Sequence, residues 1–191
     1  MKKTLLFIVI AFASLTASAQ NITGKCYRGY ADVGYTIGTG DFNMGRFELN
    51  AAHGYQIDPF FFVGAGLGLH FMPEYKTANM VIPLDSRESK VDIPIYANVK
   101  FNMGKGKFVP FLDVRGGTYV TNNSGIYMNV SAGLRIATNE IQAVNISIGY
   151  TRAEFEFETF EDFYDFKSMA YTTSPNKYAT EGITIKAGYE F

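Results

Sequence analysis

The feature that most constrains this chain is an apolar and polar alternation of period two, recurring in segments of about ten residues that are separated by turn-forming residues. In the first segment Ala31, Val33, Tyr35 and Ile37 share one face, while Arg28, Tyr30, Asp32 and Thr36 share the other. The second, Met44 to Ile57, sets Phe47, Leu49, Ala51 and Tyr55 against Arg46, Glu48 and Asn50. After Asp58-Pro59, Phe61, Val63, Ala65, Leu67, Leu69 and Phe71 alternate with Phe62, Gly64, Gly66, Gly68 and His70. Val91 to Asn102 places Ile93, Ile95, Ala97, Val99 and Phe101 opposite Tyr96, Asn98 and Lys100. Phe108 to Thr121 is the least regular, with Leu112, Val114, Gly116 and Val120 against Asp113, Arg115 and Tyr119. Three more segments follow, carried by Ile126 to Ile136, Val144 to Tyr150 and Ile183 to Phe191. Eight alternating segments predict an all-β chain of antiparallel strands joined up and down.

The polarity of the two faces decides the class of barrel. A soluble barrel turns its apolar face inward around a dry core or a ligand. Here the non-apolar face carries Arg28, Asp32, Arg46, Glu48, Lys100, Asp113, Arg115, Arg135, Lys186 and Glu190, whereas the opposite face is apolar in every segment. A lipid-facing exterior around a polar interior accounts for both, so the expectation is an eight-stranded transmembrane β-barrel. The alternative is a soluble periplasmic barrel holding a small apolar ligand, which would extract without detergent. Six glycines (64, 66, 68, 133, 149 and 188) fall on the inward parity, where a narrow lumen needs small residues beside large ones. Tyr27, Tyr35, Tyr55, Tyr150 and Tyr189 lie outward near strand ends, as an aromatic girdle would. Thirteen Tyr, seventeen Phe and nineteen Gly without Trp favour strands over helices.

The ends set the compartment and the domain count. Lys2 and Lys3 precede an apolar run from Leu5 to Leu15 and then Ala17-Ser18-Ala19, which predicts a Sec signal peptide over 1–19, cleaved near Ala19/Gln20. One barrel domain over 20–191 follows. Removing the leader moves the formal net charge from -1 to about -3, and nothing in that balance suggests nucleic acid. Cys26 stands alone, which excludes an internal disulfide, and no cofactor or metal motif occurs. The longest apolar stretch of the mature chain, Phe60 to Phe71, is broken by Gly64, Gly66 and Gly68 and is too short for a spanning helix. Short connections at Gln56 to Phe60, Asn102 to Lys107 and Thr138 to Gln142 alternate with long ones at Pro73 to Lys90 and Arg152 to Thr180. With the N-terminus in the periplasm, the short ones are periplasmic and the long ones extracellular.

With its eight segments and the ending Ile183-Thr-Ile-Lys-Ala-Gly-Tyr-Glu-Phe191, the mature chain resembles the small outer-membrane β-barrels of the OmpX and OmpA-transmembrane type. The resemblance covers nearly all of it. It implies a Gram-negative outer-membrane location at the cell surface, contact with membrane lipid and lipopolysaccharide, and assembly by the barrel-assembly machinery reading Tyr189 and Phe191.

Candidate sites are few. The ten inward charges are expected to pair into a salt-bridged plug rather than line a conducting pore. Some barrels of this type resemble lipid A-modifying enzymes that use His with Ser and an acid. His53 sits outward toward the wrong leaflet, and His70 has no Ser clearly beside it, so the expectation is a non-enzymatic, monomeric barrel with a structural or surface-interaction role. The most individual segment is Glu154 to Asp165, in which Glu154, Glu156 and Glu158 alternate with Phe155 and Phe157, followed by Phe160, Phe163 and Tyr164. It reads either as a strand extension beyond the bilayer with its acids outward, or as a surface loop whose acids and aromatics contact an extracellular protein or share cations with lipopolysaccharide. The family resemblance adds a third expectation, pairing of an exposed strand edge with a foreign strand.

Overall fold

The computed structural model describes residues 26–40, 42–76, 85–139, 142–165 and 170–191, with side chains for all of these except 160–165 and 170–173. The expected leader, 1–19, lies outside the described residues. The strands are β1 (Cys26–Thr39), β2 (Arg46–Gln56), β3 (Phe61–Met72), β4 (Tyr75–Lys76), β5 (Asp85–Arg87), β6 (Lys90–Asp92), β7 (Pro94–Asn102), β8 (Phe108–Tyr119), β9 (Ile126–Ala137), β10 (Ala143–Asp165) and β11 (Ala170–Glu190).

Every pairing is antiparallel, and the sheet closes on itself: β1 pairs β2 and β11, and β10 pairs β9 and β11. Strands β6 and β7 together form one wall strand against β3, so the wall has eight strands. The wall strand breaks at Ile93 because Pro94 has no amide to donate. The break is satisfied from β8's end: Ile93 N–H donates to Thr121 Oγ1 at 2.9 Å, and Val120 N–H donates to the Ile93 carbonyl at 2.9 Å. At the seam, Gly29 and Phe191 exchange two backbone hydrogen bonds, of 2.8 and 3.0 Å.

One end carries the tight turns. Asp58 Oδ1 accepts from the amides of Phe60 and Phe61 at 2.7 and 2.8 Å, and Gly106 takes a φ of 141° that a side chain would oppose. The other end, here the loop end, carries the connections from β1 to β2, β3 to β6 and β8 to β9.

The faces separate as the alternation requires. Ile148 leaves 57% and Leu67 56% of its surface exposed on the outside, whereas Glu48 and Glu190 are fully buried inside. Tyr27, Tyr35, Tyr55, Tyr150 and Tyr189 are all exposed on the outer wall. The lumen is narrow enough that a Cβ on Gly66 would sit 2.6 Å from the Tyr96 ring, and one on Gly133 would sit 2.6 Å from that of Phe111. Glycine there makes room for the aromatic that fills the barrel.

The segment 152–180, expected either as a strand extension or as a long surface loop, takes the first form: β10 and β11 continue as a hairpin from Arg152↔Glu181 to Asp165↔Ala170, with one irregularity between Glu161 and Tyr164. A strand whose backbone bonds are met by its own partner can leave the barrel without exposing unpaired amides on that side.

Candidate functional site: the charged lumen and the hairpin above it

All ten charged residues assigned to the interior face inward, and they fall into three layers. Nearest the tight turns, Glu190 accepts hydrogen bonds from Arg135 Nε and Nη2, each at 2.9 Å, and from Arg28. Lys100 donates to Asn145 at 3.0 Å, lies 3.6 Å from Glu190 and sits over the Tyr30 and Phe111 rings. In the middle layer Arg115 bridges Asp32 at 2.6 Å and Asp113 at 3.0 Å. Asn50 donates to Asp32 at 3.1 Å and Asn98 to Asp113, while Lys186 donates to Asn129 at 2.6 Å and stands 3.7 Å from Asp113.

The third layer holds Arg46 on Glu48 at 2.7 Å, with Thr36 also donating to Glu48 at 2.6 Å. Hydroxyls then run across the lumen from Thr36 to Thr184 at 2.6 Å and from Thr184 to Thr151 at 2.5 Å, where Asn129 donates at 2.6 Å. His70 is fully buried here, bonded to Tyr119 Oη at 2.9 Å and Asn50 Oδ1 at 3.2 Å. Desolvating this many charges is costly, and the close pairing is what makes it tolerable. Arg28 and Arg135 reach Glu190, and Arg115 reaches Asp32, across different strands, so these pairs also penalise a slipped strand.

A cap at the loop end closes the lumen, and the sequence reading missed its ion pair. Arg87 and Asp92 form a buried salt bridge of 2.6 Å; Arg87 Nε also donates to the Glu156 carbonyl at 3.2 Å, and its guanidinium lies 5.0 Å from the Phe155 ring centre. Asp92 further accepts from Ser124 at 3.1 Å and Asn122 at 2.9 Å. Strand parity alone puts Asp92 inward, opposite Val91. No periodic signal marked Arg87, which sits in a connection. Above the pair, Phe42 stacks on Tyr178 at 4.6 Å and touches Phe157 and Tyr75 at 4.9 and 6.0 Å.

This cap corrects the candidate surface loop. Phe155 and Phe157 are buried, continuing the inward parity of Asn145, Ser147 and Thr151, and so cannot present themselves to a partner. Glu154, Glu156 and Glu158 take the outer face. Glu154 Oε2 receives the Ile126 amide at 3.4 Å, Glu156 accepts from Asn123, and Glu158 is exposed. The side chains of Phe160, Phe163 and Tyr164 lie outside those described. Among the described residues no group of three His, Cys, Asp or Glu is placed to hold a metal ion.

At the opposite end Phe191 packs beside His53 and Tyr189, with ring centres 5.9 and 6.3 Å apart, and Tyr27 stacks on His53 at 5.7 Å. His53 thus belongs to an outer aromatic belt. Cys26 is free and half-buried at the same rim.

No protein-family model matches the chain, and no curated protein matches it. Among solved structures, one described as "De novo design of transmembrane beta-barrels" aligns with 91% of this chain and 100% of its own, at 13% identity and a TM-score of 0.43. At that identity and score nothing about function passes from one to the other.

Proposed function

We propose that this chain is a non-enzymatic, monomeric outer-membrane barrel, exported through Sec with cleavage near Ala19/Gln20, whose role is to hold the β10–β11 hairpin above the cell surface for contact with an extracellular partner. The observation that carries this is the change of chemistry along one strand. Val144, Ile146, Ile148 and Tyr150 face outward as an apolar row, and the same row then becomes Arg152, Glu154, Glu156 and Glu158. Arg152 pairs with Glu181 across the hairpin at 3.4 Å, where both are solvent-exposed. An apolar band suits lipid, and a charged continuation suits water beyond the headgroups.

The acidic outer face, rather than the strand edge, is the favoured contact surface. From Pro175 to Thr180, β11 has no partner strand on its second side among the described residues. That edge carries Pro175 and Lys177, two residue types that discourage edge-to-edge pairing. Lipopolysaccharide and a basic protein segment are the partners whose chemistry answers the carboxylates, the former through shared divalent cations. Tyr189 and Phe191, at the seam, are the residues the barrel-assembly machinery would read.

The pore and enzyme readings have less support. The lumen is crossed by three layers of bonded charge and closed by the aromatic cap, so flat conductance in planar bilayers is the expected outcome. His70 is sealed inside the lumen, so a lipid-modifying role would require it to reach a substrate it does not face. Loss of an acyl-transfer activity on His70→Ala would restore that reading.

The decisive test is topology in cells. In a Cys26→Ser background, Lys177→Cys should react with an impermeant maleimide on intact cells, and Lys105→Cys only after the outer membrane is permeabilised. The native barrel should also shift mobility on SDS gels when boiled. Equal labelling at both sites, or a protein that extracts without detergent, would overturn the proposal.

A further inference from the structure

The lumen holds more positive than negative charge, and the surplus is confined to one place. Among the described residues seven inward cations (Arg28, Arg46, Arg87, Lys100, Arg115, Arg135 and Lys186) face five inward carboxylates (Asp32, Glu48, Asp92, Asp113 and Glu190). Arg46 with Glu48 and Arg87 with Asp92 are balanced one to one. The two layers nearer the tight turns therefore carry the whole excess of two positive charges. Lys100 and Lys186 are the under-compensated groups: their nearest carboxylates stand 3.6 and 3.7 Å away, beyond hydrogen-bond distance.

Between those two layers lies a cavity of about 20 Å³. Its wall includes both lysines and Arg115, together with Asp32, Asp113 and Tyr30. Two hydrogen-bond donors on this wall, Arg115 Nη1 and Tyr30 Oη, are buried without a partner among the described residues. A volume of that size admits one water or one small monovalent ion. A surplus of buried cations with orphaned donors favours an anion, because an uncompensated buried charge costs several kcal/mol.

We infer that the cavity between Lys100, Arg115 and Lys186 is a binding site for a small monovalent inorganic anion of chloride's size, which completes the charge balance of the lumen. Asp32 and Asp113 stand on the same wall, and each is held by Arg115, so the anion is met by the lysines and by Arg115 Nη1. The site depends on the lumen alone and stands independently of what the hairpin contacts.

The test is thermal unfolding of the purified barrel in detergent, in sodium chloride, bromide or gluconate at matched ionic strength. Stabilisation by a bound ligand follows its concentration over Kd, so chloride and bromide should raise the midpoint by roughly 2–4 °C over gluconate and saturate. Lys186→Gln removes one of the two surplus charges and should lose most of this dependence. If that variant does not fold, the native protein still decides the matter, since bromide-soaked crystals should show an anomalous peak between Lys100 and Lys186. Equal midpoints in the three salts, or a cavity without bromide, would overturn the inference.

Discussion

The lower and upper halves of β10 follow the same pleat with opposite chemistry. From Ala143 to Thr151 the polar side chains point in and the apolar ones out; from Arg152 to Glu158 the aromatics point in and the charges out. From Ala143 to Glu158 the parity does not slip, since Asn145, Ser147, Thr151, Phe155 and Phe157 all sit on the inner face. The pleat thus fixes only which residues share a face, and the surroundings fix what each face must be. On the membrane proposal the outer solvent changes from lipid to water near Tyr150 and Arg152. The inner surroundings change at the same level, from a wall that must be filled with paired charge to a mouth that must be closed.

The largest expected effect comes from breaking the inner chemistry of the lower half. Glu190 answers Arg28, Arg135 and Lys100 at once, and Glu190→Gln would leave cations buried without a counter-charge. The expected cost is about 3–5 kcal/mol, enough to abolish or sharply reduce the SDS-resistant form seen before boiling. An unchanged yield of that form would mean the layer is not what holds the wall together.

Next comes the outer face, where the two halves can be set against each other directly. Ile148→Arg puts a charge into the apolar band and should cost about 2–4 kcal/mol in a refolding titration into lipid. Glu156→Arg, on the same face higher up, should leave that titration unchanged. Equal losses at both positions would abolish the distinction between the halves. Within the lumen a smaller effect is expected from Thr184→Val, which cuts the hydroxyl chain from Thr36 to Thr151; one lost buried hydrogen-bond partner costs about 1–3 kcal/mol.

Much of this was legible in the sequence, for a physical reason. A strand's period is two whatever its neighbours do, so face assignment needs no knowledge of the fold, and the ten inward charges follow from it. Their partners do not. Arg28 and Glu190 are 162 positions apart and meet only because β1 and β11 close the barrel. The stagger between strands, which alternation does not encode, decides that Arg115 reaches Asp32 across the lumen, whereas Asp113, two residues away on the same face of β8, was readable from the sequence. Arg87 was illegible because its place depends on a short strand, β5, pairing with β10 at Glu158↔Ser86. The burial of Phe155 and Phe157 was half legible: parity put the acids outward, but only the packed mouth shows that the aromatics seal it rather than meet a partner.

The smallest expected effect tests how that mouth is fastened. Asn122 and Asn123 join β8 to β9 with φ values of 53° and 50°, a left-handed pair that asparagine tolerates better than other residues with a Cβ. Asn122 also donates to the Val91 carbonyl and to Asp92 Oδ1, both at 2.9 Å, and so ties this turn to the cap's ion pair. Asn122→Ala removes both bonds and keeps the strained backbone, at an expected cost of about 1–2 kcal/mol. Because Asp92 stays paired with Arg87, the wall below should keep its SDS resistance, and the loss should appear as faster proteolysis confined to the loop end. If the SDS-resistant form weakens as well, the cap and the wall unfold as one unit, and the two halves of β10 differ in chemistry without differing in stability.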